Sequence, residues 1–278
     1  MKRQNTMKRR ILIIAAAIIS VTFNACTFNL DGESFGGKTI KGDGNIVTRN
    51  FDVSTFNTIS ISLPAKVNFT VSDDYTCTVR VDENLLEHLD IKVKDHELLM
   101  GKQKEDKNTN LKATEFVIEV SASSLENVNL AGSGTFNALS PLQGEKFEAN
   151  VAGSGDIIFN KTIIVQEIGL NVAGSGDLVC NELIADKMDA NIAGSGDMKV
   201  ASGTVREAEA GVAGSGDIVL SCDIKNLDAN IAGSGDIKAR VSDKLTYGIF
   251  GSGTIGYYGN PVVEGDKIGS SKVNRLGN

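Results

Sequence analysis

The triplet Gly-Ser-Gly recurs with its first glycine at Gly132, Gly153, Gly174, Gly194, Gly214, Gly233 and Gly251, at intervals of 21, 21, 20, 20, 19 and 18 residues. A spacing held near 20 is the mark of a solenoid, with one supersecondary unit per repeat. The residues around the triplet say what that unit is. Two positions before the first glycine stand Leu130, Val151, Val172, Ile192, Val212, Ile231 and Ile249. Four after it stand Phe136, Ile157, Leu178, Met198, Ile218, Ile237 and Ile255. Six after it stand Ala138, Phe159, Cys180, Val200, Leu220, Ala239 and Tyr257. Apolar positions two apart are the period of a strand, not of a helix.

Short strands joined by tight turns, repeated every ~20 residues, stack at the strand spacing of roughly 4.8 Å. The expected fold is therefore all-β, a parallel β-helix filled by aliphatic ladders. Parallel crossovers are right-handed, so the coil is expected to be right-handed too. Glycine at the corners allows positive φ and close approach of successive coils. The composition agrees. Glycine numbers 30 and proline 3, tryptophan is absent and aromatics make up 5%. Such a core is built from Val, Ile, Leu and Ala, and the glycines mark turns rather than a flexible linker.

Residues 2–10 carry five basic groups and no acid, and residues 11–23 are an apolar run. That is the layout of a secretory signal, and the run is shorter than the ~20 residues of a membrane-spanning helix. Ala25-Cys26 follows it and is similar to a bacterial lipobox. Cleavage before Cys26 and acylation of its thiol would leave a lipid-anchored envelope protein, with the outer membrane as its expected place and its periplasmic or outward side open. An ordinary signal with a chance cysteine is the alternative. Residues 1–25 are thus read as the leader and 26–45, Gly-rich and polar, as a tether. The formal charge is -7, and removing the five basic groups of the leader makes it -12. So acidic a body, with no basic stripe, excludes nucleic acid as a partner.

Residues 46–278 are read as the β-helical body. Residues 126–278 hold the regular coils and a C-terminal cap. Residues 46–125 lack the triplet but alternate like strands over 57–63, 67–71, 77–81, 91–93, 97–100 and 115–120. They are expected to form irregular coils of the same solenoid, a separate small β domain being the alternative. Glu83–Leu89 has room for one helical turn, 102–110 reads as a solvated loop, and Tyr257-Tyr258-Gly259-Asn260-Pro261 reads as the turn that closes the C-terminal end.

Three segments together, Asp82-Glu83-Asn84-Leu85-Leu86, the serial Ala-Gly-Ser-Gly-Asp and Tyr257-Tyr258-Gly259-Asn260-Pro261, resemble the auto-transporter adhesin head GIN-domain family over about residues 46–278. The resemblance implies a β-helical envelope protein of the kind found in Bacteroidota, with an adhesive role. It brings no catalytic residues. The chain departs from a secreted autotransporter, having a lipobox and no room for a membrane barrel.

The triplet is followed by Asp156, Asp177, Asp197, Asp217 and Asp236, with Thr135 and Thr254 at the two ends. Carboxylates at coil spacing repel one another unless hydrogen-bonded or bound to cations. An Asp after a glycine turn accepts backbone N–H bonds, which is the favoured reading. A Ca²⁺ ladder is the lesser one, since calcium β-rolls repeat every nine residues and this chain supplies one Asp per coil. No other cofactor is expected. Three positions before the glycine stand Asn129, Asn150, Asn171, Asn191 and Asn230, an asparagine ladder if they turn inward. The serines of the triplets (Ser133, Ser154, Ser175, Ser195, Ser215, Ser234 and Ser252) are repeats without a base and not nucleophiles. His88 and His96 read as surface residues. Cys180 reads as a buried core thiol two coils from Cys222, too far for a disulfide; a partner for Cys77 is not readable.

The function expected from these features is a non-catalytic, envelope-anchored module that contacts a glycan or protein through a repetitive polar face. A periplasmic scaffold for a membrane complex is the alternative, and a β-helical polysaccharide-active enzyme a weaker one. An enzyme would need one singular cluster of acid and base in a cleft. The oligomeric state is left open.

Overall fold

The computed structural model describes residues 38–278. The residues read as leader, Cys26 and most of the segment read as tether lie outside the described residues. The rest is all-β, a solenoid of about eight turns with coils of ~20 residues. The strands are β1 (Thr39–Lys41), β2 (Ile46–Phe51), β3 (Thr58–Ile61), β4 (Lys66–Val71), β5 (Thr76–Asp82), β6 (Leu89–Lys94), β7 (Glu97–Lys102), β8 (Asn110–Lys112) and β9 (Phe116–Ala122) in the N-terminal part. The coils that follow are built from β10 (Asn127–Gly132), β11 (Thr135–Ala138), β12 (Leu142–Gly153), β13 (Asp156–Gly174), β14 (Leu178–Gly194), β15 (Met198–Val200) and β16 (Gly203–Gly214). The last coils hold β17 (Ile218–Gly233), β18 (Asp236–Gly251), β19 (Thr254–Tyr258), β20 (Val262–Ile268) and β21 (Lys272–Gly277).

Each regular coil has three sides. In the coil around β13 the inward residues are Ile157 and Phe159 on one side, Ile163 and Val165 on the next, and Ile168, Leu170 and Val172 on the third, all buried. Register keeps equivalent positions stacked. Val151 lies on Val172, then Ile192, Val212, Ile231 and Ile249. Each coil alone could not bury these columns; stacking makes one continuous core. Near the N-terminal end the column Phe69, Ala138, Phe159 alternates large and small. The space over Ala138 lets Phe136 lie between its neighbours, 6.2 Å from Phe69 and 6.4 Å from Phe159 by ring centroids.

The Gly-Ser-Gly triplets lie where the third side turns into the first. Gly174 has φ +132, and a Cβ there would sit 2.2 Å from the carbonyl oxygen of Gly153. A Cβ on Gly176 would sit 2.0 Å from that of Gly155. The corner backbones therefore touch, and only glycine fits. The serines add a rung, since the Ser154, Ser175 and Ser195 N–H groups each donate at 2.8 Å to the first glycine of the preceding coil.

Apart from the separate two-stranded pair of β1 and β8, the N-terminal part shares its sheet with the coils but does not simply extend them. β3 and β4 form one coil beneath β10 and β11, and β7 and β9 form another beneath those, all parallel. Then the chain direction reverses. β5 lies antiparallel on β9, β6 antiparallel on β7, and β2 antiparallel on β5. The expected helical turn is a 3-10 helix, Glu83–His88, which joins β5 to β6. The segment 102–110, expected as loop alone, includes a 3-10 turn, Lys104–Asp106.

At the other end the sequence expectation is corrected. Tyr257-Tyr258-Gly259-Asn260-Pro261 does not close the solenoid. It turns the chain into one more coil, with β20 on β18 and β21 on β19.

Candidate functional site

The asparagine ladder forms, but on the outside. Asn171 lies between the buried Leu170 and Val172 in an alternating strand, so its side chain points away from the core. The amide nitrogens of Asn150, Asn171 and Asn191 donate to the side-chain oxygens of Asn129, Asn150 and Asn171 at 3.0, 3.0 and 3.3 Å. The row continues through Asn129 to Ser60 at 3.2 Å and from Ser60 to Glu97. Gly211 interrupts it, and Asn230 donates instead to Asp228 at 2.9 Å. Inward asparagines would have lost hydrogen bonds to an apolar interior; outward ones bond along the stack at little desolvation cost.

The aspartate row lies beyond the Gly-Ser-Gly corner, on the next side. Each carboxylate is committed to the coil that follows it. The N–H groups of Asp177, Asp197, Asp217, Asp236 and Thr254 donate to Oδ1 of Asp156, Asp177, Asp197, Asp217 and Asp236 at 2.8–3.1 Å. This is a capping device repeated five times, and it accounts for the residue type without a cation. Among the described residues no group of three or more His, Cys, Asp or Glu side chains is placed to hold a metal ion.

Beside the asparagine row runs an open groove of about 600 Å³. It is lined by Lys146, Lys187 and Lys244 and by Glu148, Glu167, Asp189, Glu207, Glu209 and Asp228. These side chains come from two columns, seven and five residues before the triplet glycine. Inward neighbours such as Ile168, Met188 and Leu227 are its floor. Six successive strands contribute, a run of roughly 24 Å at the usual strand spacing. In the column seven before the glycine Lys146, Glu167, Lys187 and Glu207 alternate in charge before Asn226 and Lys244, while the column five before it carries only carboxylates where it is charged. Lys187 pairs with Glu167 of the preceding coil at 3.4 Å, and Lys146 with Glu148 at 3.1 Å. Partial burial and the nearby Glu167 push the Asp189 carboxyl above the usual carboxylate value, against the pull of Lys187 and Lys146. The Lys146 ammonium is held above its ordinary value, first by its hydrogen bond to Glu148 and by that residue's charge. Sequence reasoning missed this face. Its signal was the recurrence of charge at two fixed offsets from the triplet.

The remaining residues singled out from sequence have structural places. Cys77, Cys180 and Cys222 are free and buried, each thiol pushed up to about 12 by burial. His96 is exposed, with Asp95 at the positive-φ tip of the β6–β7 hairpin. His88 is not a free surface histidine. Its Nδ1 lies 2.8 Å from Oδ2 of Asp106, with only 18% of its side chain exposed. That bond holds Asp106 below the usual carboxylate range, against burial.

Asp82 is the buried acid that sequence reasoning left without a role. Burial opposes its charge, but N–H groups of Thr114 and Gly44 donate to it at 2.7 and 2.8 Å, and its pKa lies below the ordinary value. The residues after it complete a clasp. Asn84 accepts from the Asp43 N–H at 3.0 Å and donates to the Lys41 carbonyl at 2.8 Å. Leu85 is fully buried. The Asp82-Glu83-Asn84-Leu85-Leu86 segment thus pins residues 41–45 onto the N-terminal end.

The family model described as "Putative auto-transporter adhesin, head GIN domain" matches residues 55–166 and again 150–261. The chain belongs to this family. The two matches overlap end to end, as a repeat of GIN-type coils should. Solved structures of the same kind agree. A "putative adhesin" from Parabacteroides merdae superposes with TM-score 0.81 at 27% identity, over 86% of this chain and 99% of that one. A protein from Parabacteroides distasonis, described as a "putative lipid binding protein", gives TM-score 0.83 at 31% identity over 86% of this chain and all of that one. A "putative adhesin" from the same organism gives 0.81 at 28% identity, again over 86% of this chain and all of that one. No protein of curated function matches the GIN-domain chain.

Proposed function

We propose that this GIN-domain protein is a non-catalytic binding module, held in the cell envelope by an acyl chain on Cys26, that grips a linear polar ligand along its charged groove. The observation that carries this reading is the groove itself. It repeats lysine and carboxylate at coil spacing on a backbone locked by glycine contacts, so weak contacts add along its length. An extended glycan or a peptide of mixed charge has the matching periodic polarity. The rim suits such a ligand better than an acyl chain, which needs an apolar lining. The groove also argues against chemistry, because it is open and its acids and lysines are spread along the coils rather than gathered as one acid–base cluster in a cleft.

The test is an array of glycans and peptides probed with the full chain and with a Lys146→Glu/Lys187→Glu/Lys244→Glu variant. Signals present for the first and lost for the second support the groove. Signals equal for both, or none for either, sink it. Shaving of intact cells by protease, with a known periplasmic lipoprotein as control, separates the two sides of the membrane. Digestion while the control survives places the module outward. Protection argues for the periplasmic side and the scaffold alternative, which a pulldown of periplasmic partners would then test.

A further inference from the structure

We propose that the C-terminal end of the solenoid is a self-association surface, on which a second copy of this chain lays its own last coil, antiparallel and about a two-fold axis. Among the described residues β20 is bonded only to β18 and β21 only to β19, so the outer edge of each presents backbone groups that no described strand pairs. Open strand edges are templates for another strand.

Sequence around this edge is altered in a way that fits a contact. The outward residue before each triplet is alanine at 131, 152, 173, 193, 213 and 232, and in the last two coils it becomes Phe250 and Ile268. Among the described residues nine large hydrophobic side chains are exposed. Five of them, Phe250, Tyr258, Val262, Ile268 and Leu276, belong to these last coils. The opposite end differs. Its outer strands β2 and β6 carry Arg49, Lys92 and Lys94 and none of those nine residues. Its strands are also reversed, so a head-to-tail contact would not continue the parallel ladder.

Charge selects the partner and the register. Asp266 on β20 and Lys272 on β21 are exposed, and among the described residues neither side chain has an ion-pair or hydrogen-bond partner. A two-fold axis at the Gly269 corner sets β20 of one copy antiparallel to β21 of the other. In the register that puts Asp266 opposite the second copy's Lys272, Val262 falls opposite its Leu276, and both pairs occur twice. Val262, Asp266 and Lys272 take outward positions on their strands, and Leu276, at a bulge in β21, is exposed beside Gly256. Isologous contacts of this kind close at the dimer.

The test is sedimentation equilibrium of the full chain in a non-ionic detergent. We expect a reversible dimer, dissociating in the micromolar range typical of a small interface, and no larger species. Asp266→Lys and Lys272→Asp each place like charges opposite one another and should weaken dimerisation at least about tenfold. An equimolar mixture of the two variants restores both ion pairs, so heterodimer should return; misfolded variants could not do this. The proposal is overturned if the unaltered chain stays monomeric up to ~100 μM. It also falls if the single variants dimerise unchanged, if their mixture stays monomeric, or if open filaments form. Binding of the monomer to lipid vesicles that is lost on Phe250→Asp would assign the patch to a lipid surface and overturn it as well.

Discussion

The regular coils and the N-terminal cap stack strands into one sheet by opposite means. In the coils the backbone decides. Glycine corners touch, each Asp of the row accepts from the next coil, four asparagines bond in series, and the serine N–H groups donate to the glycine carbonyls one turn back. In the cap single side chains decide. Asp82 ties together Gly44 and Thr114, His88 ties to Asp106, and Leu85 fills the space beneath. A repeated device spreads its energy over many weak rungs. A singular device concentrates it, and a single substitution removes it.

The sharpest way to break the first half of that contrast is Gly174→Ala. The new Cβ meets the Gly153 carbonyl oxygen at 2.2 Å and holds a φ of +132 that L-residues rarely adopt. We expect a loss of about 4 kcal/mol or more in urea unfolding, the size reserved for strain plus backbone displacement. Gly132→Ala is the control. It shares the positive φ, but nothing lies within 4 Å of its Cβ, so about 1 kcal/mol is expected from backbone strain alone. Equal losses would show that conformation, not coil contact, demands the glycine.

In the cap the matching substitution is Leu85→Ala, which empties a fully buried site and should cost about 3 kcal/mol. Hydrogen exchange would show where that loss falls. Amides of β5, β6 and β9 should lose protection while those of β13 to β17 keep theirs, since solenoid units are coupled chiefly to their neighbours. The cap should also be acid-sensitive. Asp82 and Asp106 both have pKa values below the ordinary one. Their stabilisation is complete above the unfolded value near ~4 and is lost as pH falls through the folded values. Gly44 and Thr114 amides should therefore open first on acidification, and in Asp82→Ala they should already be open at pH 7.

A rung of the coils is worth less. Asp197→Ala removes the acceptor of one N–H, that of Asp217, near solvent, and about 1 kcal/mol is expected. Asp197→Asn keeps an acceptor oxygen and should cost less than the alanine. If the carboxylates instead held Ca²⁺, adding the ion or a chelator would move the melting temperature of the unaltered chain; no movement is expected.

Much of the solenoid was legible because it is periodic. Val172, Leu178 and Cys180 stand at fixed offsets from Gly174, and an offset shared by seven repeats fixes both strand and inward face. The same logic, carried through, would have turned Asn171 outward, since it sits between two inward residues. The groove charges Glu167 and Lys187 were equally periodic but alternate in sign, so a search for one residue type passed over them. The reversal at β5 and β6 was not legible. It rests on pairings such as Val79 with Ile118 and Val93 with Leu98, and no local pattern distinguishes an antiparallel partner from a parallel one. Nor was the coil of β20 and β21, where β20 is exposed along nearly its whole length and so lacks the alternation that marks the others.

The smallest effect tests where the groove sits between these two regimes. Asp189 is carried on a periodic strand, yet its environment is singular: partly buried, beside Glu167, with Lys187 and Lys146 pulling the other way. A carboxyl whose folded pKa is raised binds its proton more tightly when folded. Ionisation therefore opposes folding at neutral pH, and the penalty is relieved as pH falls through the raised value toward the unfolded one near ~4. Asp189→Asn should then stabilise the protein slightly at pH 7, and the gain should fade as pH falls below the unfolded value near ~4, where the folded and unfolded carboxyl are both mostly protonated. Melting curves of the two proteins across that range would show it. A variant that is instead less stable at pH 7 would mean that the lysines outweigh Glu167, and that the groove charges stabilise the fold as ion pairs. The expected gain would mark Asp189 as a position kept at a cost in stability, which is how residues held for binding a ligand usually differ from residues held for the fold.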